Sequence, residues 1–346
     1  MKRKIYFICT ANKQPIGGIK QLYRQVDILN QNGFDACIVH RKKGFRHQWF
    51  KNKTKIIYNL SIFTTIDEII LQKRVKPFKK IKNFLRSRND DPIDKNGILV
   101  MPEIFGPYIS EFYSDMQKVI FNQNCYYTFN NCTSIDLKKE PVYLNQNFLA
   151  SIVVSEDSKN YLESTFPKST THRIHLGINT DKFSYNKATK KKQIAFMPRK
   201  LGDDIIQILN ILKIRNNLKN WNFVPIDNNT EDEVAEILNE SLIFLSLNHK
   251  EGFGLPPAEA MASGCIVIGY AGQGGKEYFN PDFSFKIDDG DVIQFVNKIE
   301  EIALNLEKND VQIIKMPQYA TNYILTNYNL KKEEESIVST WNKILK

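Results

Sequence analysis

Short apolar runs of strand length alternate with helix-spaced stretches along the whole chain, and that alternation restricts the fold to a layered α/β architecture. KIYFIC (4–9) is a continuous apolar run. After Gly17-Gly18, IKQLYRQVDILNQNG sets Ile19, Leu22, Val26 and Leu29 at helical spacing. Gly33 suits the helix stop, and FDACIVH resumes as a strand, which makes a βαβ unit with a parallel sheet. GILVMPE, KVIFNQ, SIVVS and RIHLGI read as further strands, with the helical EDSKNYLESTF between the last two. SYNKATKKKQ (184–193) is polar and aperiodic and reads as a linker.

A second alternating set follows: IAFMP, DDIIQILNILKIRNNL, WNFVPI, TEDEVAEILNES, SLIFLSL, PPAEAMASG, CIVIGY and FSFKIDDGDVIQFVNKIEEIAL. Thr230 with Glu233 three residues on predicts a capping box. At 346 residues the chain is long enough for two cores. The expectation is two doubly wound α/β domains, 1–184 and 185–326, facing across a cleft. The amphipathic segment 327–346 would pack back on the first domain. Ligands of such sheets bind outside the carboxyl ends of the strands.

Hydrophobic residues at 42% and charged residues at 25% exclude a disordered chain. No run approaches the ~18 apolar residues of a membrane span. The N-terminal MKRKIYFIC reads as a strand, since its apolar run is too short for a signal sequence. Five scattered cysteines without metal-ligand spacing read as reduced core thiols, which points to a cytoplasmic protein.

The stretch EGFGLPPAEAMASG (251–264) carries the chemistry. It leaves the carboxyl end of the apolar strand SLIFLSL. Gly252 and Gly254 let backbone approach a ligand closely, Pro256 or Pro257 suits the first helical position, and Gly264 suits the stop. Unpaired N–H groups at a helix start favour phosphate. Glu251 and Glu259 cannot bind phosphate, but carboxylates accept charge-assisted bonds from sugar hydroxyls. Phosphate donors between two hydroxyl acceptors describe a nucleotide-sugar site.

EGFGLPPAEAMASGCIVIGYAGQGGKEYF resembles the donor-site signature of retaining family 4 (group 1) glycosyltransferases of the GT-B fold. The resemblance extends to the Gly17-Gly18 loop and to HLGINTDKF (175–183), similar to the family's segment before its second domain. It implies that Glu251 holds hydroxyls of the transferred sugar and Glu259 the ribose. The backbone of Gly252, Phe253, Gly254 and Leu255, with Gly17, Gly18, Gly274 and Gly275, would line the donor site. It further implies that Arg199, after QIAFMP, binds the leaving diphosphate. The family's lysine about five residues later is missing here, where Asp204 and Ile205 stand, so Lys200 is the nearest candidate. Gln123 occupies the place of a histidine many relatives carry near the reacting sugar; with Asn124 and Glu103 it belongs to the acceptor or sugar side. Gln123 hydrogen-bonds but does not titrate. Both Gln123 and Asn124 also read as turn residues, and Glu103 as a solvated strand end.

No metal or cofactor is expected. Asp289-Gly290-Asp291 spells a DxD, but a turn and helix N-cap account for it. His172 and His175 are spaced as on a strand, and no other histidine pair has ligand-like spacing.

The formal net charge of +10 is uneven. Between Arg41 and Arg88 fifteen Lys or Arg face only Asp67 and Glu68, so the excess belongs to this segment. KRVKPFKKIKNFLRSR (73–88) places Val75, Phe78, Ile81 and Leu85 at roughly helical spacing. A basic amphipathic helix fits an anionic membrane surface, on the inner face for a cytoplasmic protein; a solvated basic loop is the other reading. No nucleic-acid-binding motif accompanies the charge. The expected activity is sugar transfer from a nucleotide-sugar to a glycan or lipid-linked acceptor. A nucleotide-sugar epimerase of the same fold and a catalytically silent sugar- or nucleic-acid-binding protein are the alternatives.

Overall fold

The computed structural model describes residues 2–12, 15–71, 87–107, 109–130, 132, 140–199 and 201–346. The chain divides into two units, Met1–Ile174 with Glu334–Lys346, and His175–Glu333. The first holds a seven-stranded sheet in the order β3-β2-β1-β4-β5-β6-β7. Its strands are β1 (Lys4–Ile8), β2 (Asp35–His40), β3 (Ile56–Tyr58), β4 (Ile98–Pro102), β5 (Gln117–Asn122), β6 (Phe148–Val153) and β7 (Thr171–Arg173). Every pairing is parallel. Strands covered on both faces must be apolar throughout, and β4 is buried at all five positions. Alternation along β1 sends Tyr6 and Ile8 to a cluster with Ile62 and Phe63, while Phe7 packs against Trp341, ring centroids 5.9 Å apart.

Helix α1 (Gly17–Gln31) crosses from β1 to β2, α2 (Leu60–Leu71) follows β3 and α3 (Glu156–Thr165) follows β6. Gly17 and Gly18 are therefore the first residues of α1 and not a separate loop, with Ile16 as N-cap. Residues 72–86, which contain nearly all of the proposed basic helix, lie outside the described residues.

The second unit holds five parallel strands in the order β12-β11-β10-β8-β9. They are β8 (Lys191–Phe196), β9 (Asn222–Pro225), β10 (Ser241–Ser246), β11 (Ile266–Gly269) and β12 (Ser284–Lys286). The helices are α4 (Gly202–Arg215), α5 (Glu231–Glu240), α6 (Leu255–Ala262), α7 (Val292–Glu307) and α8 (Val311–Asn327). Helix α9 (Leu330–Ile344) then carries the chain into the part grouped with the first unit. The expected capping box is present: Thr230 Oγ1 and the Glu233 carboxylate each bond the other residue's backbone N–H. Both sheets reverse their strand order, between β1 and β4 and between β8 and β10. These reversals are where doubly wound folds place ligands.

The division falls at Ile174 and His175, ten residues before the expected boundary at 184/185. The stretch read as linker contains the start of β8. Its charge hides the strand: Lys191 and Lys192 pair with Glu240 and Glu307. Lys190 turns inward to the carbonyls of Leu238 and Ser241, at 3.0 and 2.6 Å.

Candidate active site

In the second unit the chain leaves β10 through Asn248–Gly254 and enters α6. Glu251 is fixed by its backbone: its N–H donates to the Gly272 carbonyl at 2.7 Å, and its carbonyl accepts from Gly274 N–H at 3.1 Å. The Glu251 carboxylate accepts from the Asn248 side-chain amide. Gly274 lies so close that a Cβ on it would stand 2.0 Å from the Gly252 carbonyl oxygen. The turns at Gly252–Gly254 and at Gly274-Gly275 thus form one cradle, closed by the Glu251–Gln273 bridge.

The backbone N–H groups of Gly252, Phe253, Gly254 and Leu255 donate no hydrogen bond to the described residues. Gly252, Phe253 and Gly254 are buried, so this run of donors suits an anion. The helix start contributes less than expected. Leu255 is the first residue of α6, so Pro256 and Pro257 occupy the next two positions and remove two N–H groups. The donors come from the loop. Glu259 is the fifth residue of α6 and so sits in its second turn.

Tyr278 was not singled out by the sequence reading. Its buried hydroxyl lies 2.9 and 2.6 Å from the carbonyls of Phe253 and Gly254, and a Cβ on Gly254 would come within 2.7 Å of it. Its pKa is pushed well above the ordinary range, first by burial and then by Glu251, Glu277, Tyr328 and Glu259. Through its two carbonyl bonds this ring braces the cradle between the signature glutamates. The signal was the tyrosine in GGKEYF, 24 residues beyond Gly254.

Arg199 is exposed in the turn after β8, beside the strand-order reversal. Lys200 lies outside the described residues. Asp204, near where relatives carry lysine, accepts from the Tyr270 hydroxyl at 2.8 Å and stands 3.8 Å from His249 Nε2. It braces the neighbouring β11 loop. Asp291 caps α7 by accepting Gln294 N–H at 2.9 Å, as the cap reading of the DxD requires.

In the first unit, Gly18, Glu103, Gln123 and Asn124 come together at the carboxyl ends of the central strands. Gln123 Nε2 donates to the Gly18 carbonyl at 3.0 Å, and a Cβ on Gly18 would lie 3.1 Å from the Gln123 amide oxygen. Gln123 thus ties β5 to the start of α1. Asn124 caps the following turn, accepting from Tyr126 N–H. Glu103 is not a solvated strand end: it is 4% exposed, with Oε1 accepting Asn124 N–H at 3.0 Å and Oε2 without a partner among the described residues.

Burial raises the Glu103 pKa to about 7, against the lowering effect of backbone N–H groups at Glu103, Gln123 and Asn124. The folded chain holds this proton more tightly than the unfolded chain, whose carboxyl titrates near 4.5. Stability should therefore fall as pH rises from about 4.5 to about 7 and level off above, a change on the order of 3 kcal/mol. Denaturant unfolding at pH 5 and pH 8 checks this. Glu103→Gln should flatten the profile, and an unchanged slope would refute the assignment.

These two parallel sheets define a glycosyltransferase fold of the GT-B class. Sucrose-phosphate synthase from Thermosynechococcus elongatus superposes with a TM-score of 0.66 at 13% identity, covering 99% of both chains. A mutant of S. aureus TarM in complex with fondaparinux, alpha-GlcNAc-glycerol and UDP superposes at 0.67 and 12% identity, again covering 99% of both. More particularly, residues 207–316, within the second unit, match the family described as "Glycosyl transferases group 1". An alpha-1,6-glucosyltransferase of Actinobacillus pleuropneumoniae serotype 7 is 29% identical over 216 residues, 58% of this chain. The alignment spans 62% of that relative's length. Among the described residues no helix is long and apolar enough to cross a membrane.

Proposed function

We propose that the chain is a retaining glycosyltransferase that moves a hexosyl or deoxyhexosyl group from a nucleotide-sugar to a glycan or lipid-linked acceptor, with no metal in the transfer step. The observation that carries this reading is the run of N–H groups at Gly252–Leu255 that donate no hydrogen bond to the described residues, flanked by Glu251 and Glu259. The N–H run takes the diphosphate, Glu251 takes hydroxyls of the transferred sugar and Glu259 takes the ribose. Arg199, with Lys200 as a second candidate, adds the cationic charge that stabilises the departing diphosphate.

The bond from the sugar anomeric carbon to the phosphate oxygen breaks. The acceptor oxygen bonds to that carbon on the same face, and the leaving phosphate takes the acceptor's proton. Glu103, Gln123 and Asn124 line the acceptor or sugar side. Segment 73–88 is the proposed contact with an anionic membrane surface.

A thermal-shift screen of UDP-, GDP-, dTDP- and CMP-sugars tests the donor assignment. UDP-sugars come first, since the TarM complex contains UDP. A cognate donor at a hundred times its dissociation constant should add about 2.7 kcal/mol. No shift with any of these donors would remove the basis of the reading.

A further inference from the structure

The loop from Arg41 to Lys55 contains no helix or strand, yet it buries His47, Phe50 and Thr54. His47 packs with Cys9 from the end of β1 and His40 from the end of β2. One ligating atom of each lies within 4.8 Å of the others, and all three residues are buried.

The hydrogen bonds set the state of both imidazoles. His40 Nδ1 is 3.1 Å from the Cys9 carbonyl, which can only accept, so Nδ1 carries the proton. Its Nε2 lone pair faces the Tyr23 hydroxyl at 2.7 Å. His47 bonds the next carbonyl, that of Thr10. Its Nε2 is buried and has no partner among the described residues. Two adjacent carbonyls thus anchor the two rings, and a ring nitrogen of each lies within 4.8 Å of the other's and of the Cys9 sulfur. Backbone-anchored imidazoles of this tautomer are the arrangement found around metal ions.

The surroundings are aromatic. Phe45 packs edge-on against His40 and His47, and Tyr23 packs edge-on against His47 and Phe50. The neighbouring Arg46 guanidinium is held by Asn52 and the Thr54 carbonyl.

We propose that Cys9, His40 and His47 bind a zinc-class divalent cation that staples the 41–55 loop to the ends of β1 and β2. One thiolate and two neutral imidazoles form a ligand set suited to Zn²⁺, with the Tyr23 oxygen or a water as fourth ligand. On binding, the metal–sulfur bond forms, the Cys9 S–H bond breaks and its proton leaves to solvent. The Tyr23 hydroxyl gives up His40 Nε2. Tetrahedral coordination needs ligand atoms roughly 3.5 Å apart, so the three side chains close inward by about an ångström. All three ligands belong to the first unit, and none is among the residues assigned to the donor. The site departs from the sequence-based expectation of a metal-free chain.

The full chain is refolded from denaturant with one equivalent of Zn²⁺ or Co²⁺, desalted, and its metal measured by mass spectrometry. We expect about one ion per chain and, with Co²⁺, a thiolate-to-cobalt charge-transfer band. Cys9→Ser and His47→Gln should hold less than a tenth of an equivalent, while His172→Gln keeps the full complement. Wild-type chain holding under a tenth of an equivalent, or lacking the charge-transfer band, overturns the proposal whether or not the variants fold. Metal content in the two site variants equal to wild type overturns it as well.

Discussion

Glu251→Gln should lower sugar transfer by about a hundredfold or more while leaving the melting temperature close to wild type. A carboxylate that accepts from a hydroxyl makes a charge-assisted bond of about 1.5–3 kcal/mol, and two such bonds are lost or weakened in the amide. A loss of about 2.7 kcal/mol in the transition state is a hundredfold in rate. The substitution should leave the loop intact, because Glu251 is positioned by its backbone bonds to Gly272 and Gly274. Nucleoside diphosphate release, with a melting curve on the same sample, separates the two effects. Unchanged turnover would remove Glu251 from the sugar site.

Gly274→Ala should act through the fold. The new methyl would meet the Gly252 carbonyl oxygen at 2.0 Å and carbon at 2.5 Å, and the Glu251 oxygen at 2.9 Å. All three atoms are backbone, so the two turns must separate and lose the Gly274-to-Glu251 hydrogen bond. We expect about 3 kcal/mol of lost stability, with loss of donor-induced thermal protection. Gly202→Ala is the control. A Cβ there meets nothing within 4 Å, and alanine at a helix start should leave stability unchanged or slightly improved. Equal melting temperatures for the two variants would contradict the single-cradle description.

The alternation of strands and helices was legible because parallel strands buried on both faces must be continuously apolar. Caps were legible for a similar reason: Thr230 with Glu233, and Asp291, satisfy backbone donors three residues away. Signals were lost where local chemistry pointed elsewhere. Lys190–Lys192 looked like a linker because lysine stems can line a strand start while their charges find acids or carbonyls.

Pairings distant in sequence left no local trace. Tyr278 braces carbonyls 24 and 25 residues earlier. The seclusion of Glu103 depends on strands that neighbour β4 only in the folded sheet. Cys9, His40 and His47 come from two strand ends and a loop, so no spacing rule groups them. The close backbone approach around Glu251 was legible because Gly254 and Gly274 are glycines where a Cβ would collide.

Time-resolved proton NMR of the reaction between the cognate nucleotide-sugar and an acceptor glycan tests the central claim. The anomeric resonance of the donor should be replaced by that of an acceptor-linked sugar with the same anomeric configuration, in step with nucleoside diphosphate release. A product of inverted configuration, or a sugar altered while still joined to its nucleotide, would contradict retaining glycosyl transfer.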